Sequence, residues 1–158
     1  MTEKSAIEPK RLPETANVVR YVGGSNYNDS TGVLNGIAFE RPPKDINGLS
    51  VTQRLVLARN SEKDKTEIRK VFASRMTPGK TAVFAELNVG KALNVLKRFD
   101  EEFYFLSDPL PPCDQKLANP AHALLKGLPF VGEEVGSLKS ERAGDLLRSV
   151  VHDIFSAK

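Results

Sequence analysis

Residues 77–99 read TPGKTAVFAELNVGKALNVLKRF, and the fold class turns on how the apolar period changes within them. Pro78-Gly79 turns the chain. Over residues 81–87, Val83, Ala85 and Leu87 alternate with Ala82, Phe84 and Glu86, the two-residue period of a strand. Asn88, whose short amide side chain satisfies free helical N–H groups, then opens a helix. That helix carries Val89, Ala92, Leu93, Leu96 and Phe99 on one face and Lys91, Lys97 and Arg98 outside.

Working outward towards the N-terminus, Asn60 or Ser61 caps a helix reaching about Arg75, with Ile68, Val71, Phe72 and Met76 as a narrow buried stripe. Residues 49–57 read as a strand and a turn, and residues 33–39 as a short strand broken by Arg41-Pro42-Pro43-Lys44-Asp45. Residues 25–32, rich in Ser, Asn, Asp and Gly, read as a loop, and 17–22 (NVVRYV) as a strand ended by Gly23-Gly24. Residues 1–16 are polar, carry Pro9 and Pro13, and read as a flexible arm.

Towards the C-terminus, residues 103–106 (FYFL) and 121–125 read as strands around a proline-rich loop, 108–120. A last helix is expected from Ser137 or Ser140, with Leu146, Leu147, Val150, Val151, Ile154 and Phe155 as its stripe. Strands mixed irregularly with three helices predict a single α+β domain over 17–158, with a mainly antiparallel sheet. The spacing does not fit a regular βαβ series.

The 158 residues are 40% apolar and 27% charged, a globular composition. No run of 18 apolar residues offers a membrane span, and the first residues lack the apolar core of a secretory signal, so a cytoplasmic location is expected. One cysteine, Cys113, and two histidines, His122 and His152, leave no disulfide framework and no cysteine-rich metal site. No metal and no cofactor is expected.

Net charge is only +3, but residues 41–80 hold ten Lys or Arg against four Asp or Glu. That segment is therefore basic, and the remainder is slightly acidic, with clusters at 100–102 and 133–134. An acidic protein surface or a phosphate backbone would be drawn to it. Such charge also suits an ordinary solvated helix face.

Among single residues, Arg20 lies inside an apolar strand, and its guanidinium must meet a carboxylate, a phosphate or water. Glu40 and Glu86 are the expected partners; phosphate capture is the functional alternative. His122, entering a strand after a proline loop, suits a general base or a donor to loop backbone. Cys113 lacks an activator nearby unless His122 reaches it. Thr77-Pro78-Gly79-Lys80-Thr81 lacks the first glycine and the strand-to-helix setting of a phosphate-binding loop.

Two stretches carry a resemblance. Ala38-Phe39 with Arg41-Pro42-Pro43-Lys44-Asp45 running to Leu49-Ser50-Val51, and Asn119-Pro120-Ala121-His122 running to Gly127-Leu128-Pro129, resemble a loose group of small uncharacterised bacterial proteins that accompany defence or mobile-element genes. The resemblance covers about half of the chain. It implies a prokaryotic cytoplasmic accessory protein of a CRISPR-type or other antiviral immunity system, and it supplies no catalytic residues. Asn119-Pro120-Ala121-His122 is also similar to a segment of the RES-type NAD-degrading toxins, relatives of ADP-ribosyltransferases. That likeness implies that Arg20 holds the cofactor phosphates, although the family's glycine-arginine-rich segment is absent here.

The expected function is a non-enzymatic interaction module docking through residues 41–80. Arg54, Arg59, Lys63, Lys65, Arg69, Lys70 and Arg75 are its contact residues and an acidic protein its partner. The alternatives are an NAD-consuming enzyme using Arg20 and His122, and a sequence-independent nucleic-acid binder.

Overall fold

The β-branched run NVVRYV forms strand β1 (Asn17–Val22), which sends Val18 and Val22 into one core and Val19 into another on the opposite side of the sheet. This alternation is the period-two pattern of a strand buried on both faces. In this computed structural model residues 10–40, 47–128 and 134–158 are described, with side chains from residue 138 onward in the last helix. Strands β2 (Tyr27–Asn28) and β3 (Val33–Leu34) make a small hairpin, followed by a 3-10 turn, Gly36–Phe39. Then come β4 (Leu49–Gln53), α1 (Ser61–Arg75), β5 (Val83–Asn88), α2 (Val89–Leu96), β6 (Tyr104–Ser107), β7 (His122–Lys126), α3 (Glu134–Ser149) and β8 (Val151–Ser156).

Six of these strands form one sheet in the order β6-β7-β4-β1-β5-β8, each neighbouring pair antiparallel. The fold is the expected α+β domain, with three α-helices among the described residues. β5, paired on both edges, is buried on both faces. Val83, Ala85 and Leu87 enter the larger core with α2, α3 and the 3-10 turn, whereas Phe84 meets Val19, Ile68 and Phe155 beneath α1. Around Phe84 the rings of Phe72, Phe155 and Tyr21 lie at 4.8, 5.3 and 5.8 Å between centroids, in edge or tilted arrangements.

Three sequence expectations are corrected. The last helix stops at Ser149, and residues 151–156 form β8 rather than two more turns. As a strand, this segment satisfies the outer edge of β5 and splits its apolar residues: Ile154 packs on the larger core and Phe155 on the α1 core. Residues 33–39 are not one strand, because Asn35 accepts a hydrogen bond from the Ile37 N–H and caps the 3-10 turn. Met76 leaves the α1 stripe for solvent, while Asp64 is buried in that helix.

Residues 1–9 of the sequence-read arm, and Arg41-Pro42-Pro43-Lys44-Asp45, lie outside the described residues. Residues 10–16 lie against the sheet. Leu12 N–H donates to Phe105 O (2.9 Å), and Ser107 N–H to Lys10 O (2.8 Å). Ala16 O accepts from Val89 N–H at the start of α2 (2.9 Å), and Leu12 and Ala16 pack on the larger core.

Candidate functional site

Directly opposite residues of an antiparallel pair share a face. Thr52 on β4 lies opposite both Val19 on β1 and His122 on β7, so Ser50, Thr52 and His122 occupy the α1 side of the sheet. Two polar constellations use that side, the second reaching through the Ser50 backbone carbonyl to Arg20, which shares the opposite face with Val18 and Val22.

The first closes the corner where β4 runs into α1. Arg54, immediately after β4, donates through Nε to Glu86 Oε1 (2.6 Å), through Nη1 to Asp64 Oδ2, and through Nη2 to Ser61 Oγ (2.7 Å). The side chains of Arg54, Asp64 and Glu86 are 6, 0 and 10% exposed, so these charges are stripped of water and depend on one another. Glu86 Oε2 also lies 2.9 Å from His152 Nε2 on β8. The Asp64 carboxylate additionally accepts from the backbone N–H groups of Leu55 (2.9 Å) and Ala58 (3.4 Å).

Those two hydrogen bonds fix the turn between β4 and α1. They hold Leu55 at φ 63°, a left-handed conformation uncommon for a leucine. Leu55 and Val56 nonetheless turn outward, 51 and 47% exposed. An unfavourable backbone and two exposed apolar side chains are thus maintained by a buried carboxylate. Beside them a recess of about 490 Å³ is lined by Leu57, Ala58, Lys63, Thr66 and Glu67 among others.

Of the seven basic residues singled out in the sequence, four are engaged within the fold. Arg54 is in the buried network. Lys65 Nζ lies 3.6 Å from both Glu62 and Asp153 and 5.0 Å over the Phe155 ring. Arg69 donates to Ser156 O (2.8 Å), and Arg75 donates to Leu117 O and Pro111 O, holding the 108–120 loop against the end of α1. Arg59, Lys63 and Lys70 are exposed. Lys63 and Lys70, seven positions apart, share one face of α1.

The second constellation joins Arg20 and His122, which the sequence paired as an alternative site. Both reach Ser50. Arg20 donates through Nη1 to Ser50 O (2.8 Å) and through Nε to Ala38 O (3.0 Å). His122 Nε2 lies 3.2 Å from Ser50 Oγ. Its Nδ1 lies 2.9 Å from the Asp108 carbonyl oxygen and 3.1 Å from Asp108 Oδ2. Leu49-Ser50-Val51 and His122, which belong to the two stretches that carry the resemblance, therefore sit on neighbouring strands, joined through Ser50 and His122.

Of the expected partners of Arg20, Glu86 is held by Arg54 and His152 instead. Glu40 sits near Glu141 and Asp145; burial, and then those two charges, raise its carboxyl above the ordinary 4.5. Cys113 is exposed, with its thiol 3.9 Å from Asp114 Oδ2. Tyr21 is taken up in the aromatic cluster, and its hydroxyl accepts from Gly79 N–H (3.2 Å). Among the described residues no group of three or more His, Cys, Asp or Glu is placed to hold a metal ion, and no helix is long and apolar enough to cross a membrane.

Sequence reasoning missed Asp64, Asp108 and Ser50. A carboxylate in the first turn of α1 reads as a favourable helix-end charge and gives no sign of burial. Ser50 and His122 are 72 positions apart, and only the strand order brings them together. No protein-family model, no curated protein and no solved structure matches this chain.

Proposed function

We propose that this chain is a protein-docking module whose contact surface is the turn of residues 54–60 with the adjoining outer face of α1. Leu55 and Val56 supply the apolar contact; Arg59, Lys63 and Lys70 supply the charge. The partner is a protein surface that sets carboxylates around an apolar patch, because those cations flank exposed leucine and valine side chains. The observation that carries this reading is Leu55, held at φ 63° and exposed by the buried Asp64 carboxylate. A turn fixed before binding gives up little ordering entropy on docking. The bacterial resemblance of the 38–51 and 119–129 stretches supports an accessory role in a prokaryotic defence system.

The test places a photo-crosslinking residue at Val56 in cells and identifies the adduct, with exposed Asn94 as the control position. One acidic protein captured from Val56, and lost in Leu55→Asp/Lys63→Glu without a fall in melting temperature, is the expected result. The same proteins captured from both positions, or capture indifferent to the double variant, refutes the docking surface. Adducts to nucleic acid, with affinity falling steeply as salt rises, would replace it with the phosphate-backbone reading.

A further inference from the structure

We infer that Ser50, His122 and Asp108 form a nucleophilic relay with Ser50 Oγ as the attacking atom, acting on small acyl esters or thioesters that have a good leaving group. This goes beyond the docking reading and does not depend on it.

The argument begins with the proton on His122. Nδ1 faces two oxygens, the Asp108 carbonyl at 2.9 Å and Asp108 Oδ2 at 3.1 Å. A backbone carbonyl can only accept, so Nδ1 carries the hydrogen. In the neutral ring Nε2 is then the lone-pair nitrogen, and it lies 3.2 Å from Ser50 Oγ. The hydroxyl therefore donates to the histidine, the polarity that general-base activation requires. A carboxylate on Nδ1 and a hydroxyl on Nε2 reproduce the order of roles in serine hydrolases, which is recognised by geometry and not by chain order.

Each member is held from a separate element. Ser50 lies on β4 with its carbonyl fixed by Arg20; His122 begins β7; Asp108 follows β6, and its N–H donates to His122 O (2.9 Å). The His122 side chain is 12% exposed and Asp108 46%, while Ser50 is half-buried, so the relay runs from solvent into the sheet face. A half-buried hydroxyl suits a small acyl group better than a folded chain.

In the first step Ser50 Oγ bonds to the acyl carbon as its proton passes to His122 Nε2. The bond to the leaving group breaks, and the leaving group takes that proton, giving acyl-Ser50. Water then attacks the acyl carbon, again through His122, and releases the acid with Ser50 restored. Proton transfer of this kind contributes about 10²–10⁴-fold, which confines the substrates to activated esters and thioesters.

The experiment treats the intact protein with a fluorophosphonate. In that reaction Ser50 Oγ displaces fluoride from phosphorus, and the serine proton leaves through His122. Intact mass gives the adduct and peptide mapping gives its position. Labelling at Ser50, absent in Ser50→Ala and slowed about 100-fold in His122→Gln, is expected. No adduct, an adduct on another residue, or Ser50 labelling that keeps its rate in His122→Gln overturns the relay and leaves these three residues as a brace between strands. The wild-type mapping alone decides the first two outcomes, so the inference stands or falls even if a variant does not fold.

Discussion

Replacing Asp64 by alanine should remove the centre of the corner between β4 and α1. The carboxylate is fully buried and accepts from the Arg54 guanidinium and from the N–H groups of Leu55 and Ala58. Its loss leaves Arg54, 6% exposed, with Glu86 as its one remaining carboxylate among the described residues, and strands two backbone donors. Breaking a buried pair from one side costs about 3–5 kcal/mol, because the surviving charge stays buried. Against a total of about 5–15 kcal/mol, that is a large share of the stability. With a urea dependence of about 2 kcal/mol per molar, the midpoint should fall by about 1.5–2.5 M. The chain has no tryptophan, so the assay is urea unfolding followed by far-ultraviolet circular dichroism. Asp64→Asn keeps one acceptor oxygen and should lose less. A shift below about 0.5 M for Asp64→Ala would mean that the corner is not desolvated, and the account of Leu55 would go with it.

Gly144→Ala should lower the melting temperature by about 3–10 °C, since its Cβ falls inside contact distance of the Gly36 carbonyl where α3 meets the 3-10 turn, whereas Gly79→Ala, whose nearest neighbour is 3.9 Å away, should be silent in the same thermal scan. Glu40→Gln should stabilise the protein at pH 7. A carboxyl raised in the folded state loses stability as pH rises from its unfolded towards its folded value, so the gain should vanish well below pH 4.5, read as melting temperature against pH. Asn88→Ala should cost about 1 kcal/mol in urea unfolding by uncapping α2, where the amide accepts from Lys91 N–H, and more if its contact with Ala16 O also holds the 10–16 segment.

Elements fixed by near-neighbour chemistry were legible in the sequence. Asn60 and Asn88 cap α1 and α2 where the amide side chains said they would. The strands β1 and β5 fall within two residues of their readings. The final helix was misread because Val150, Val151, Ile154 and Phe155 fit a helical stripe as well as a strand, and only the open edge of β5 decides between them. The site was legible in part: Arg20 stood out inside an apolar strand, and His122 at the entry to a strand after a proline loop. What they meet, the carbonyl and hydroxyl of Ser50, depends on strand order, which local periodicity does not carry. Charge counting likewise found the basic segment but could not show that Arg54, Lys65, Arg69 and Arg75 are engaged inside the fold.

Val18 pairs with Leu87 and Thr52 with His122, partners 69 and 70 positions apart. Loops of that length must close before either ladder returns any energy, and domains built on such distant pairings fold in milliseconds to seconds. Until then β5, which the finished sheet buries on both faces, is without its neighbour β1. Refolding from urea should therefore be slow for a domain of this size. Its yield should fall as protein concentration rises, because a strand buried on both faces of the finished sheet is the most adhesive segment of the unfinished chain.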